Sequence, residues 1–528
     1  MSLVSRGPAD RAEAPELDPA VVRRLRDAVG DDAVFTSRED RDDYRDPYWY
    51  VEDRSYDSSA VVYPTSTEQV QEIVRIANDV RIPVWTSSQG RNYGYGGPSP
   101  RVKGSILISF RRMNRVLEIN EKLAYAVVEP GVRWLDLYDA IEAGGHDLMV
   151  SVPDLGWGSV IGNTLDSGVT YLPLGMDYQA PTGMEVVLAD GSLLRTGMGA
   201  LPNSQSWHVY KRGLGPVLDP LFVQSNLGIV TRMGYWLMRK PEAYAPLYLT
   251  VPKDSQLEQA IDITRELRLQ GVIRGVPVMQ NTITLASHFP EILGKMRAHE
   301  GTLSEEQLQE LADSTGVGRW GQRTAVWGDR AVVEHHVARI KEAWSAIEGS
   351  RVDEYGLYTK ENWGDIHHFL EKVQAGIPNL DMLEGRPDDI GHIGFSPVVP
   401  LEGTKVREVV NLLKRIAEDE VGVNFVAGLC TISERSTVLV SGLNFSTVDE
   451  ESWRTAFDAV KHMVREAAKL GYGEYRAHLD FMDEAAEQYS FGDHAYRRFV
   501  ERIKDAVDPN GILSPGRHGI WPQASRNR

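Results

Sequence analysis

The stretch from Ser59 to Gly97 constrains the fold more than any other. Ser59-Ala-Val-Val-Tyr-Pro64 reads as a strand, and Thr65-Ser-Thr-Glu68 has the composition of a capping box. Val70, Ile73, Val74, Ala77 and Val80 then recur at helical spacing, and Ile82-Pro-Val-Trp-Thr86 reads as a buried strand. Two parallel strands joined by a helix form a β-α-β unit, and open α/β folds bind ligands at the carboxyl ends of their strands. There this chain places Ser88-Gln-Gly-Arg-Asn-Tyr-Gly-Tyr-Gly-Gly97, in which four of ten residues are glycine. Glycine tolerates positive φ and lets backbone N–H groups approach an anion. The spacing is neither the Rossmann nor the Walker pattern, and no helix pattern follows directly. The loop is therefore either an ordinary turn or a phosphate cradle of another design. Arg91, Tyr93 and Tyr95 are residues that a turn does not need.

The 528 residues allow roughly three domains, although large enzymes often fold as two. A net charge of 57 − 75 = −18, with no long basic block, argues against a nucleic-acid partner and against adsorption to anionic lipid. The one cysteine, Cys430, excludes an intrachain disulfide and a multi-cysteine metal site; its strand-like flanks read it as a small buried hydrophobe. The N-terminal segment is charged and lacks the apolar core of a signal peptide, and no apolar run is long enough for a membrane span. The expectation is a reduced, cytoplasmic protein without a membrane partner.

Further strands are expected at Ser105–Ser109, Tyr125–Glu129 and Met184–Leu188, the last entering a hairpin turn at Ala189-Asp-Gly191. Two more glycine clusters, Asp154–Gly162 and Ser225–Ile229, fit a backbone wrapped around an extended ligand. Around Lys240-Pro241 the character changes. Amphipathic helices follow: one opened by a Ser304/Gln307 box, one carrying Val333, Val337, Ile340 and Trp344, and one carrying Phe457, Val460 and Val464. Strands are expected at Asn424–Thr431 and Ser436–Phe445. The tail reads as a helix through Phe499–Ile503 that stops at Asp508-Pro-Asn-Gly511. The expected class is α+β, with one domain of residues 1–240 completed by 490–528 and a cap domain of residues 241–489.

Four positions could carry chemistry. In Gly391-His-Ile-Gly-Phe-Ser396, a strand would put His392, Gly394 and Ser396 on one small, polar, open face, with Ile393 and Phe395 packed on the other. His392 is then either a hydrogen-bonded core histidine or the neighbour of a bulky partner. Tyr475-Arg476 is either a surface pair or a receptor for a phenolate or carboxylate oxygen, the flanking glycines permitting a bend that brings both to one ligand. Asp154 either caps a turn or moves a proton. The pairs His335-His336 and His367-His368 sit in helical context without the i, i+3 or i, i+4 spacing of metal ligands, so no metal is expected. Signatures of serine hydrolases, kinases and zinc proteases are missing.

Seven stretches, in chain order, carry a resemblance. They are Gly90–Gly97, Pro153 through Gly162 to Asn163, Arg195–Pro202, Gln224–Val230, Gly391–Pro397, Gly471–Arg476, and Asp508–Ile512 with Gly519-Ile-Trp521. Through them the chain, from Ser59 to Pro522, resembles the vanillyl-alcohol oxidase and p-cresol methylhydroxylase flavoprotein family, on its eugenol oxidase and 4-alkylphenol oxidase side.

The resemblance implies an FAD-binding domain of the p-cresol methylhydroxylase type and an α+β cap. FAD would lie with its pyrophosphate against Gln89, Gly90, Arg91, Asn92, Tyr93, Gly94 and Gly97. Further contacts would come from Pro153, Leu155, Gly158, Ser159, Gly162, Asn163, Gly228, Ile229 and Arg517. His392 would bond covalently to the flavin 8α-methyl carbon. Some relatives use a tyrosine for that bond and pass electrons to a cytochrome; no tyrosine lies between Thr359 and His392, which favours the histidyl bond and an oxidase. Tyr95, Tyr475 and Arg476 would hold a para-substituted phenol as phenolate. Hydride would leave the para α-carbon for flavin N5, giving a quinone methide. Asp154 would act as base near N5, and O2 would be reduced to hydrogen peroxide. Val169, Tyr171, Ser396, Asn424 and Val426 would line the side-chain end of the pocket. Tyr93 and Asn424 depart from the family pattern. The resemblance also implies a homodimer or larger homo-oligomer. The competing readings are a dehydrogenase linked to a cytochrome and a non-redox flavin- or nucleotide-binding protein.

Overall fold

The computed structural model describes residues 9–175, 179–287, 289, 292, 294, 299, 301–383 and 388–526. The ends of the expected first domain, residues 1–8 and 527–528, lie outside them. The strand Ala60–Val62, the helix Thr67–Val80 and the strand Val84–Ser87 form as the pattern requires. The two strands are not neighbours, however: Ile106–Ser109 lies between them and pairs in parallel with both. The helix cap is one residue later than expected. Ser66 Oγ accepts from the Gln69 amide, and the Gln69 side chain returns to the Thr65 amide at 2.7 Å. The helix buries Val70, Ile73, Val74, Ile76 and Ala77, leaving Val80 at the rim.

A second sheet takes the order Val116–Asn120, Tyr125–Val128, Ile229–Trp236, Pro181–Val187, Leu193–Arg195, all antiparallel. A third, larger sheet is built from residues 243–446. Along it run Val352–Glu354, Ala243–Val251, Trp320–Gly328, Val278–Asn281, Val426–Cys430, Ser436–Ser446 and Ile390–Ile393. Helices Leu257–Leu269, Arg330–Trp344, Gly403–Arg415 and Glu450–Lys469 cover its apolar face, where Trp344, Trp453 and Phe457 are buried. The mixture is α+β, as expected from the sequence. The helix Glu305–Thr315 opens with the Ser304/Gln307 box. His367 and His368 are not helical: both are exposed in the loop before the helix Phe369–Gln374, which His368 caps.

The tail returns to the first sheet. Asp508 accepts from the Ile512 and Leu513 amides at 3.0 and 2.9 Å and pairs with Lys504 at 2.7 Å, both side chains fully buried. Lys504 also donates to the Asn226 and Leu513 carbonyls, each at 2.7 Å. The Asp508-Pro-Asn-Gly stop is thereby a buried ionic lock. It fixes the third glycine turn and carries residues 513–520 beside the strand Val84–Ser87.

Candidate active site

A cleft of about 170 Å³ opens at the carboxyl end of Val84–Ser87. Of the expected cofactor residues, Gln89, Gly90, Arg91, Asn92, Gly97, Gly158, Ser159, Gly162, Asn163, Gly228, Ile229 and Arg517 line it. So does Tyr95. The loop backbone is left-handed at Gly90, Gly94, Gly96 and Gly97, with φ of 69°, 80°, 106° and 52°, conformations that side chains disfavour. Gly158 tests the fit of a large ligand best. Gly158 lines the cleft, and a Cβ built there meets nothing nearer than 4.0 Å. Ser159 caps the helix Val160–Leu165, accepting from the Gly162 amide at 3.0 Å.

Tyr93, Gly94, Pro153, Leu155 and His392 stand outside the cleft lining. Gly94 lies against His392: a Cβ on it would come within 2.8 Å of the imidazole Nε2. Pro153 and Leu155 flank Asp154, all half-buried. Tyr93 packs on Tyr48, which in turn packs edge-on against His392, and Tyr93 also meets Trp157. Arg91 stacks over Trp157 and donates to the Tyr93 hydroxyl at 3.2 Å.

A second cavity, of about 980 Å³, meets the cleft at Asn163 and Arg476. At that junction Tyr95, Tyr475 and Arg476 come together. The Arg476 guanidinium lies 4.2 Å over the Tyr95 ring, and the Tyr95 and Tyr475 hydroxyls are hydrogen-bonded. Burial is the main cause that raises the pKa of both tyrosines, so both stay neutral donors. Among the described residues, Arg476 Nε is buried without a hydrogen-bond partner. Val169 and Tyr475 line the larger cavity, and Ser396 is hydrogen-bonded to Tyr95. Ser396 is only 2% exposed and its amide is held by Glu474, whereas His392 and Gly394 are half-buried, so of the face that the sequence reading left open only the Ser396 end is closed.

Asp154 is no turn cap. Its Oδ1 accepts from Arg323 Nη2 at 2.7 Å and its Oδ2 from the Tyr171 hydroxyl. Val426 shares a strand face with Cys430, whose thiol is pushed up to about 12 by burial first and the Asp154 charge second. Asn424 and Val426 line neither cavity. The Asn424 side-chain Oδ1 instead accepts from the Leu303 amide at 2.8 Å.

Sequence reasoning missed four residues here. Buried Asp166 is met by Asn92 at 3.1 Å, Arg476 at 3.2 Å, Arg517 at 2.7 Å and His518 at 3.4 Å. Burial opposes its ionisation, but Arg517 and Arg476 outweigh it and hold the pKa well below the usual range. Glu474 accepts from the Ser396 and Arg476 amides, and burial raises its pKa to about 8. Glu474 lies inside the Gly471–Arg476 motif and His518 beside Arg517, so those two were within reach. Arg323 and Asp166 gave no local signal.

Two family models match: an FAD binding domain over residues 58–197 and the C-terminal domain of FAD linked oxidases over residues 396–518. The chain is 32% identical to the 4-cresol dehydrogenase [hydroxylating] flavoprotein subunit of Pseudomonas putida, over 94% of this chain and 95% of the relative. A solved 4-ethylphenol oxidase from Gulosibacter chungangensis, complexed with isoeugenol, superposes with a TM-score of 0.91 at 36% identity. That match covers 98% of this chain and all of the other. Substrate-bound p-cresol methylhydroxylase superposes at 0.88 with 31% identity, covering 95% and 96%.

Proposed function

Because the chain belongs to the p-cresol methylhydroxylase and vanillyl-alcohol oxidase flavoprotein family, we propose that it oxidises para-substituted phenols with FAD and passes the electrons to O2. The observation that carries this is the cluster of Tyr95, Tyr475 and Arg476 at the junction of the two cavities, with Arg476 Nε unpaired. A phenol ionises near pKa ~10 in water. Two neutral hydroxyl donors and a fixed guanidinium favour its anion, and the anion releases electron density toward the para carbon.

The cleft from Gln89 to Gly97 and from Gly158 to Asn163, with Gly228, Ile229 and Arg517, would hold FAD. His392 would hold it covalently. Bound FAD supplies a two-electron acceptor for the hydride of the para α-carbon. Tyr95, Tyr475 and Arg476 orient the ring. Asp154, held by Arg323 and Tyr171, takes a proton from the water that adds to the resulting quinone methide. Val169, which lines the larger cavity, sets the size of the side-chain end together with Tyr171 beside Asp154 and Ser396 beside Tyr95. Residues 1–240 with 490–528 are read as the FAD-binding domain and 241–489 as the cap.

Oxygen as acceptor is supported by the histidine at position 392 and the lack of tyrosine from 359 to 392. Stopped-flow reoxidation tests it: an oxidase reoxidises rapidly in air, whereas slow reoxidation that a cytochrome accelerates favours the dehydrogenase. Colour retained by acid-precipitated protein, and washed free from His392→Ala, supports the covalent bond; colour washed free from the wild type refutes it. We also read the chain as a homo-oligomer. The segment Phe491–Val507 leaves Phe491, Tyr496 and Phe499 exposed, apolar side chains that a contact between copies would cover.

A further inference from the structure

The chain bends at Tyr475 and Arg476, and without that bend the two side chains would leave a strand on opposite faces. A peptide group is planar, so holding its carbonyl and its N–H fixes the directions of the residues on either side. The peptide joining Tyr475 to Arg476 is held at both. Its N–H, that of Arg476, donates to Glu474 Oε1 at 3.0 Å. Its carbonyl, that of Tyr475, accepts from the Gln224 side-chain Nε2 at 2.7 Å. The first contact lies within the Gly471–Arg476 motif. The second comes from 251 residues away, where the third glycine turn begins.

Gln224 is placed for that contact at some strain. Its backbone is left-handed, with φ of 45°, and its amide donates to the Leu165 carbonyl at 2.7 Å. Glycine meets that conformation without strain, whereas glutamine does not. Strained backbone persists where the surrounding contacts hold it, and it gathers at functional sites. Gln224 is half-buried in the wall of the larger cavity, which Tyr475 and Arg476 also line. Leu165 precedes Asp166, the carboxylate that meets Arg476 at 3.2 Å. Gln224 therefore joins the segment that carries the counter-ion of Arg476 to the segment that carries Arg476 itself.

We propose that Gln224 is a positioning residue: by holding the Tyr475 carbonyl it turns the Tyr475 hydroxyl and the Arg476 guanidinium toward one oxygen of the substrate. This rests on the reading above, in which that oxygen is a phenolate. Gln224 acts through the peptide and transfers no proton itself.

The probe is 4-hydroxyacetophenone, a phenol whose para carbon bears no hydrogen to transfer. Its neutral and phenolate forms differ in near-ultraviolet absorbance. The form bound to the holoenzyme is therefore read directly, at a pH where the free probe is neutral. The wild type should bind it as phenolate. Gln224→Gly removes the donor and relieves the backbone, and Gln224→Met keeps the length without a donor or a charge. Both should keep the wild-type flavin content and melting temperature. Both should bind the probe at least about tenfold more weakly and hold a larger neutral fraction of it, with kcat/KM for 4-ethylphenol falling alongside. A role in folding alone would move the melting temperature and leave the phenolate fraction unchanged. If either variant keeps its flavin and binds the probe as phenolate with wild-type affinity, this inference falls alone. Loss of flavin or of the fold in both variants overturns it too, since Gln224 then supports the cofactor cleft or the fold. A wild type that binds the probe in its neutral form overturns it together with the functional reading.

Discussion

Among single residues, Arg476 has the largest part in binding the phenol proposed above. If its guanidinium holds the phenolate, Arg476→Met should lower kcat/KM about 10–100-fold near pH 7, the cost of a charge-assisted hydrogen bond. The loss should shrink as the pH approaches ~10, where the phenol ionises unaided. A pH profile of kcat/KM checks both. Asp166 gives a second prediction, with a defined sign. Its folded pKa is depressed, so its contribution to stability is present above the unfolded value of about 3.9 and is lost as the pH falls below it. Asp166→Asn should destabilise the fold by about 3–5 kcal/mol at neutral pH, as removing one partner of a buried ion pair does. Urea denaturation at pH 7 and near pH 3 would show the variant's deficit shrinking in acid; a deficit independent of pH would contradict the assignment. The motif residues were legible because His392 follows Gly391 and because Tyr475 and Arg476 close a short stretch opened by Gly471 and Gly473. Arg323 and Asp166 were not. A buried arginine in an apolar strand and an aspartate after a short helix acquire meaning only through partners about 170 to 350 residues away in the chain.

At the scale of elements, the glycine loop works because it follows a strand end and faces a capped helix. Gly158 offers a clean probe of that arrangement. A methyl group there meets no protein atom nearer than 4.0 Å, so Gly158→Ala should fold with an unchanged melting temperature as apoprotein. It should nonetheless bind FAD at least about tenfold more weakly, since even one intruding methyl group disturbs a close-packed contact. Titration of apoprotein with FAD measures this, and unchanged affinity would remove Gly158 from the cofactor site. The β-α-β reading from Ser59 to Thr86 was right about the elements, yet the third strand inserts between the first two. Apolar runs specify that a strand is buried, not which strand neighbours it. The cap moved by one residue because Ser66 is a better N-cap acceptor than Thr65, and Gln69, one position beyond Glu68, is the side chain that reaches back.

Across the whole molecule, the tail ties the cleft to the residue cluster beside it. The Lys504–Asp508 lock holds residues 513–520 against the first sheet, and Arg517 and His518 there meet Asp166, which in turn meets Arg476. The cleft and the Tyr95, Tyr475 and Arg476 cluster are therefore built on one ionic network. The exposed aromatic residues of Phe491–Val507 add a prediction about assembly. Light scattering should give the mass of a dimer or larger oligomer, and Phe491→Glu should shift it toward the monomer of 59.0 kDa. Electron transfer from a phenol into the flavin is measured by mixing the purified holoenzyme anaerobically with 4-ethylphenol. The account predicts that the flavin absorbance bleaches in a single rapid phase at neutral pH. A flavin that stays oxidised under those conditions, with substrate in excess, would contradict it.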